Sequence, residues 1–292
     1  MLFRSGNNAN GFPSVLANVM YTPRQVDLMG WPFEDPTTGG SVYFRGSNDI
    51  PNPRWVLNNY KTTGIVNRVF TTTSFNYDIA KDLSLIYKVG LDTYDETQEF
   101  LIGKGGAQLP NGLYNTLNFK NTIWDNSAIL SYSKPLSEKV TLAGKIGGNL
   151  RNDRFKVFSI NSQNQLARGL FTHNNFIDNV ASNGSTEQTR VGIFGELTAD
   201  INNYLFVNVA ARNDWTSTVE AENRRILYPS TSVSFVPTSA FEGLQSKVLN
   251  FWKIRVGYGT SAGFPDPYST RNVLNQSARG WLNSAGTAVQ TH

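Results

Sequence analysis

The chain has 292 residues, 39% hydrophobic and 12% aromatic, which is enough for one large domain or two small ones and is not a disordered composition. With no cysteine, disulfide frameworks and thiolate chemistry are excluded, and His173, His292 and the carboxylates alone make zinc chemistry improbable. The net charge of +4 is spread without a Lys/Arg cluster, so no nucleic-acid partner is expected.

Residues 1–64 are rich in Asn, Gly and Pro and read as a long opening loop region. Residues 1–10 lack a cationic segment followed by an apolar run, so they are no signal peptide, and the chain reads as mature or truncated. Alternation of apolar and polar side chains then predicts strands over residues 65–79, 83–94, 122–134, 139–151, 187–200, 204–215, 227–236 and 251–261. In the first hairpin Val69, Thr71, Thr73, Phe75, Tyr77 and Ile79 share a face that Leu83, Leu85, Tyr87, Val89 and Leu91 continue. Arg68, Asn76, Asp78, Ser84, Lys88 and Asp92 occupy the other. The connections at 80–82, 135–138 and 201–203 are short, and 237–250 is longer, with room for a helical turn. Between the pairs lie stretches read as long loops, 95–121, 152–186 and 216–226, with 262–292 trailing.

No run of 18 apolar residues exists, so a transmembrane helix is not expected. The low mean hydropathy of -0.33 is compatible with a barrel, because half of every barrel strand faces water. Strands of roughly 12 residues, tilted about 45°, cover some 28 Å of membrane normal, close to the apolar band of about 25 Å. The fold class expected is therefore all-β, an antiparallel transmembrane β-barrel, with residues 1–64 as an extracellular loop region, 65–261 as about eight strands of wall, and 262–292 as a truncated extracellular loop. Tyr77, Trp124, Tyr132, Trp215, Phe235 and Trp252 lie near strand ends on the apolar face and read as membrane-interface aromatics. Phe70, Ile86, Ile129 and Phe194 fall on the polar face, where a plug or an infolded loop would cover them. Eight strands with both termini on the long-loop side, and two edges that lipid would leave unpaired, describe a fragment of a larger barrel.

Several stretches carry a resemblance: Asn52-Pro-Arg-Trp-Val-Leu-Asn-Asn-Tyr60, Asn67-Arg-Val-Phe, Ser74-Phe-Asn-Tyr-Asp-Ile-Ala-Lys-Asp-Leu-Ser-Leu, Ala211-Arg-Asn-Asp-Trp-Thr-Ser-Thr218, Tyr228-Pro-Ser-Thr-Ser-Val-Ser-Phe235 and Trp252-Lys-Ile-Arg-Val-Gly-Tyr-Gly259. In order and spacing, over about residues 50–262, the chain resembles the SusC/RagA family of TonB-dependent outer-membrane transporters of Bacteroidetes. The resemblance implies a 22-stranded barrel plugged by an N-terminal domain. Such a barrel imports oligosaccharides or peptides with energy from TonB, under a SusD-like lipoprotein lid. Plug, TonB box and carboxy-terminal strands have no counterpart in this sequence.

No catalytic or metal constellation is present, so no enzyme activity is expected, and no cofactor; Ca²⁺ on loop oxygens has no spaced ligand set to support it. His173 reads as a solvated loop histidine, Gly103-Lys-Gly-Gly106 as a flexible loop, and Asn183-Gly-Ser185 as a turn. Trp31, Phe33 and Trp55 are candidates to meet substrate or lid, against a simpler role packing the loop onto the rim. Arg212 and Asp214 are candidates to line a substrate path, against a structural pair across the strands. Besides an importer segment, the pattern admits a non-transporting outer-membrane adhesin or structural barrel, and a soluble carbohydrate-binding β-sandwich.

Overall fold

The computed structural model describes residues 15–44, 51–107, 109–270 and 272, so the reading of residues 1–10 and most of 262–292 lies outside the described residues. The chain divides into two compact units: Met1–Thr71, Leu91–Ile123 and Arg154–Thr186 form one, and Thr72–Gly90, Trp124–Asp153 and Glu187–His292 the other. Among the described residues two short helices, α1 (Val15–Tyr21) and α2 (Pro53–Asn59), precede eight strands. These are β1 (Tyr60–Ala80), β2 (Leu83–Ile102), β3 (Leu113–Ser137), β4 (Val140–Gln165), β5 (Phe176–Ile201), β6 (Leu205–Thr216), β7 (Arg225–Phe235) and β8 (Ile254–Gly259), with α3 (Pro237–Ala240) between the last two.

The strands form one antiparallel sheet in sequence order, each bonded to its neighbour, and among the described residues β1 and β8 have a neighbour on one side alone. All eight sequence-predicted strands are present, and the helical turn expected in 237–250 is α3. Their lengths differ from expectation. Residues 95–121 and 152–186 are mostly strand: β2 and β3 are 20 and 25 residues long, β4 and β5 are 26 each, and the connections shrink to 103–112 and 166–175. Asn183-Gly-Ser185 accordingly sits inside β5 and is no turn, while β8 has only 6 residues. Backbone pairing continues where the apolar face stops, because a strand needs a partner for its N–H and C=O groups whether or not lipid lies beside it.

In the second unit the register displays the two faces directly. Leu197 pairs with Val209, Val209 with Thr231, and Thr231 with Tyr258. The next row of that face runs Ala199, Val207, Val233, Val256, and the one after it Ile201, Leu205, Phe235, Ile254. Rows of the opposite face are polar: Thr198, Asn208 and Ser232, then Asp200, Phe206, Ser234 and Arg255. Ile146, Ile193, Leu197, Val209 and Val256 are exposed, as a lipid-facing surface requires. The tight β5–β6 turn is fixed by Asn202 and Asn203 at φ 54° and 56°, a left-handed pair that Asn tolerates and that suits the twist of a hairpin.

In the first unit a small core holds the chain ahead of β1. Ile102 and Leu113 are buried against Tyr60, Phe100 and Leu109. Asn52 caps α2 by accepting the Arg54 amide at 2.9 Å, its own amide group donates to the Val42 carbonyl at 2.9 Å, and Pro53 opens the helix, where its missing N–H costs nothing.

Candidate functional site

Sequence-predicted contact residues divide between the two units, and within the first they divide again by burial. Trp31 and Phe33 border a shallow depression of about 660 Å³ with Met29, Pro32, Pro36 and Arg54. Trp31 is half exposed. Arg54 lies over the Phe33 ring at 4.4 Å and donates to the carbonyls of Leu28, Met29 and Trp31 at 3.1, 3.1 and 3.3 Å, so a cation stiffens this wall from behind. Asp27 fastens the other end: its Oδ1 accepts from the Gly30 and Met29 amides, and those two bonds hold its carboxyl below the usual value. The depression offers aromatic and proline surface beside one guanidinium and the Glu34 carboxylate, a combination suited to apolar faces carrying polar groups.

Trp55 is not on that surface. It is fully buried, its indole N–H donates to the Gly39 carbonyl at 3.0 Å, and its ring meets Tyr60 edge-on at 5.9 Å. Of the two roles weighed for it, the geometry gives it the packing one. Gly39 is needed there twice over: its φ is +65°, and a Cβ would collide with the Arg168 guanidinium, which lies across it and bonds Glu34 at 2.7 Å. The glycine segment 103–106 is pinned by backbone bonds from Gly105 to Pro110 and from Ser41 to Gly105, 2.8 Å each.

His173 is a correction. It is half-buried, tilted against the Tyr114 ring at 4.6 Å, with Nδ1 2.7 Å from Ser162 Oγ and Nε2 3.0 Å from Thr116 Oγ1. Ser162 gives its only proton to Asn179 Oδ1 at 2.5 Å, so the imidazole N–H sits on Nδ1 and donates to Ser162 while Nε2 accepts from Thr116. Burial lowers its pKa below 6.5, against a smaller upward pull from Glu99. Ser162 is completely buried, which makes the cluster a strap for the 166–175 connection and not a nucleophile with its base.

In the second unit Arg212 and Asp214 lie two apart on β6, Nε to Oδ1 at 2.7 Å, each partly exposed. Arg212 Nη2 also reaches Asn149 Oδ1 on β4 at 2.6 Å, and its guanidinium stands 5.7 Å from the Phe194 ring on β5. Phe194 is thus covered from within the sheet. Gly192 makes the reach possible, since a Cβ there would lie 2.1 Å from Arg212 Nη2. Lys145 pairs with Glu196 at 3.7 Å and Arg151 with Asp153 at 3.0 Å, so the polar face carries charges of both signs.

Of the aromatics assigned to strand ends, Tyr77, Trp124, Tyr132 and Trp252 are exposed, while Trp215 and Phe235 are partly covered, Phe235 by Tyr204 at 6.1 Å and Phe241 at 6.4 Å. Among the described residues no helix is long and apolar enough to cross a membrane, which says nothing about strands, and no group of metal-ligating side chains comes together.

A family model described as TonB dependent receptor-like, beta-barrel matches residues 13–288. No curated protein matches the sequence. Among solved structures, the RagAB peptide importer in the closed-closed state aligns at a TM-score of 0.72 with 14% identity, covering 88% of this chain and 29% of that one. The same importer in the open-open state aligns at 0.67 and 14%, covering 76% and 26%. A structure of the RagAB peptide transporter aligns at 0.65 and 13%, covering 74% and 25%. The chain therefore spans between a quarter and three-tenths of those solved chains, and at such identity the likeness is one of fold.

Proposed function

Because the chain belongs to the family of TonB dependent receptor-like β-barrels, we propose that it supplies part of the wall of an outer-membrane importer of large nutrients. Its cargo is a peptide or an oligosaccharide, and it works with TonB through a plug and with a SusD-like lipoprotein as lid. The observation that carries this reading is strand length. β3, with 25 residues at about 3.3 Å each and a tilt of about 45°, measures about 58 Å along the membrane normal, more than twice the apolar band of about 25 Å. A wall continued that far past the lipid suits a receptor that encloses bulky cargo and seats a lid. In this reading Trp31 and Phe33 meet cargo or lid, Arg212 and Asp214 line the polar interior, and residues 1–64 and 262–292 lie outside the cell. Peptide is the first cargo class to test, since the solved relatives are named for it.

The test uses cells carrying the intact gene. Uptake of labelled peptide and oligosaccharide mixtures is compared with that of cells lacking TonB, and lipoproteins that copurify with the tagged protein are identified. TonB-dependent uptake together with a copurifying surface lipoprotein is the expected result. Cargo or partner binding that is indifferent to TonB, with no uptake, overturns the importer in favour of an adhesin.

A further inference from the structure

The outward face of the first unit holds a concave patch of about 460 Å³, whose walls include Asn118, Lys120, Lys156, Phe158, Asn183 and Ser185. The side of the sheet follows from neighbouring contacts. Arg68 and Asp92 pair at 2.6 Å on the polar face of β1 and β2. Thr93, the next residue of β2, therefore points the other way, with Val69 and Leu91, and its hydroxyl meets that of Thr122 on β3 at 3.0 Å. Lys120 is two residues from Thr122 and shares its face; Asn118 and Lys120 are exposed while Phe119 between them is turned inward against Phe155. On β4 Lys156 and Phe158 are exposed, and Val157 between them points the way a Gly184 side chain would, with its Cγ1 3.3 Å from that position. The row of Phe119, Val157 and Gly184 is thus the floor, and the flanking side chains are the walls.

A lipid-facing surface has no use for two lysines, and neither forms an ion pair among the described residues. Asp95 also borders the patch without pairing with either. Lys120 lies four residues from Trp124 along β3 and so shares its face. The surroundings supply amide and hydroxyl groups from Asn118, Asn183 and Ser185 and one half-exposed ring, Phe158. Two unpaired ammonium groups suit phosphate; the amides, the hydroxyl and the ring suit a sugar.

We propose that this patch binds the phosphorylated sugar head group of an outer-leaflet glycolipid, holding one lipid molecule against the outer wall of the barrel. The inference rests on the seat of the barrel in the outer membrane and is independent of what the whole protein imports. The test is a native mass-spectrometric titration of the intact, detergent-purified protein with a phosphorylated glucosamine lipid, its dephosphorylated counterpart, and inorganic phosphate alone. The Lys120→Gln/Lys156→Gln double variant is expected to bind the phosphorylated lipid about thirtyfold more weakly, about fivefold per lysine beside an anionic surface. Lys145→Gln, on the opposite face, serves as control and is expected to bind as the unaltered protein does. Equal binding of the dephosphorylated lipid, an equal loss in the control, or no loss in the double variant overturns the proposal. So does binding of inorganic phosphate as strong as that of the lipid, since the site would then be a simple anion site. Both lysines are exposed, and an unchanged heat-dependent gel shift of the double variant verifies that the barrel has assembled.

Discussion

Replacing Trp55 by alanine removes the largest fully buried side chain among the described residues. The indole fills the space between Gly106, where a Cβ would come within 2.9 Å of the ring, and Tyr60, and it carries the bond to Gly39 that holds the 33–42 segment in place. Truncations of buried Trp or Phe to Ala cost about 3–5 kcal/mol, part from lost transfer and part from the cavity left behind. At about 1.4 kcal/mol per factor of ten, even the low end multiplies local opening by about a hundred. The assay is hydrogen–deuterium exchange by mass spectrometry on the intact protein. It reads the amides of Ser41, Val42 and Gly105, whose bonds to Gly105, Phe33 and Pro110 close this part of the first unit, with amides of β6 as reference. Trp55→Phe keeps most of the volume and loses the N–H bond, so it should accelerate exchange by about fivefold, in line with roughly 1 kcal/mol for a hydrogen bond. Rates in Trp55→Ala within threefold of the unaltered protein would refute the reasoning. Trp55 would then be dispensable for packing, and its role would have to be sought in binding after all.

Three further outcomes are expected. Ile146→Arg places a cation on the exposed apolar face and should cost about 2–4 kcal/mol of barrel stability, seen as loss of the heat-modifiable band on gels, whereas Lys145→Arg on the polar face should be tolerated; equal behaviour of the two would mean the faces are wrongly assigned. Asn203→Val puts a branched side chain at φ 56° and should lower barrel stability by about 1–2 kcal/mol, while Asn203→Gly should leave it unchanged or raise it, both read from thermal midpoints. His173 has a pKa below its ordinary 6.5 because burial disfavours the cation, so the unfolded segment binds more protons than the folded one near that pH. The 166–175 connection is therefore expected to hold fully above pH 6.5 and to loosen as pH falls below it. A histidine NMR titration with its midpoint above 6.5 would show that the attraction of Glu99 outweighs burial.

How much of this was legible in the sequence turns on one physical rule applied in two environments. Within the lipid, a strand must show an apolar face, so hydropathy reports the strand. Phe235, read on the apolar face, stands in one row with Ile201, Leu205 and Ile254, and Phe194, read on the polar face, pairs with Arg212 there. Where a strand is not in contact with lipid, neither face has to be apolar. Thr97 bonds Asn118 and Tyr114 bonds Glu99 on one side of the sheet, while Phe119 stacks on Phe155 on the other, so the alternation disappears although the pairing persists. Residues 95–121 and 152–186 read as loops for that reason, and His173 read as solvated because its partners Thr116 and Ser162 stood inside what looked like loop. Helix α2 was more accessible: Asn52-Pro53 is an N-cap followed by the residue favoured at the first helical position, a signal that the composition of a Pro- and Asn-rich stretch obscured. The reach of Arg212 had no local signal at all. It depends on Gly192 being bare and on Asn149 standing two strands away, facts that exist only once the register is known. Hydropathy thus locates a barrel strand and assigns its faces where the solvent is lipid, whereas its full height and the polar contacts across it are set by backbone pairing, to which hydropathy is blind.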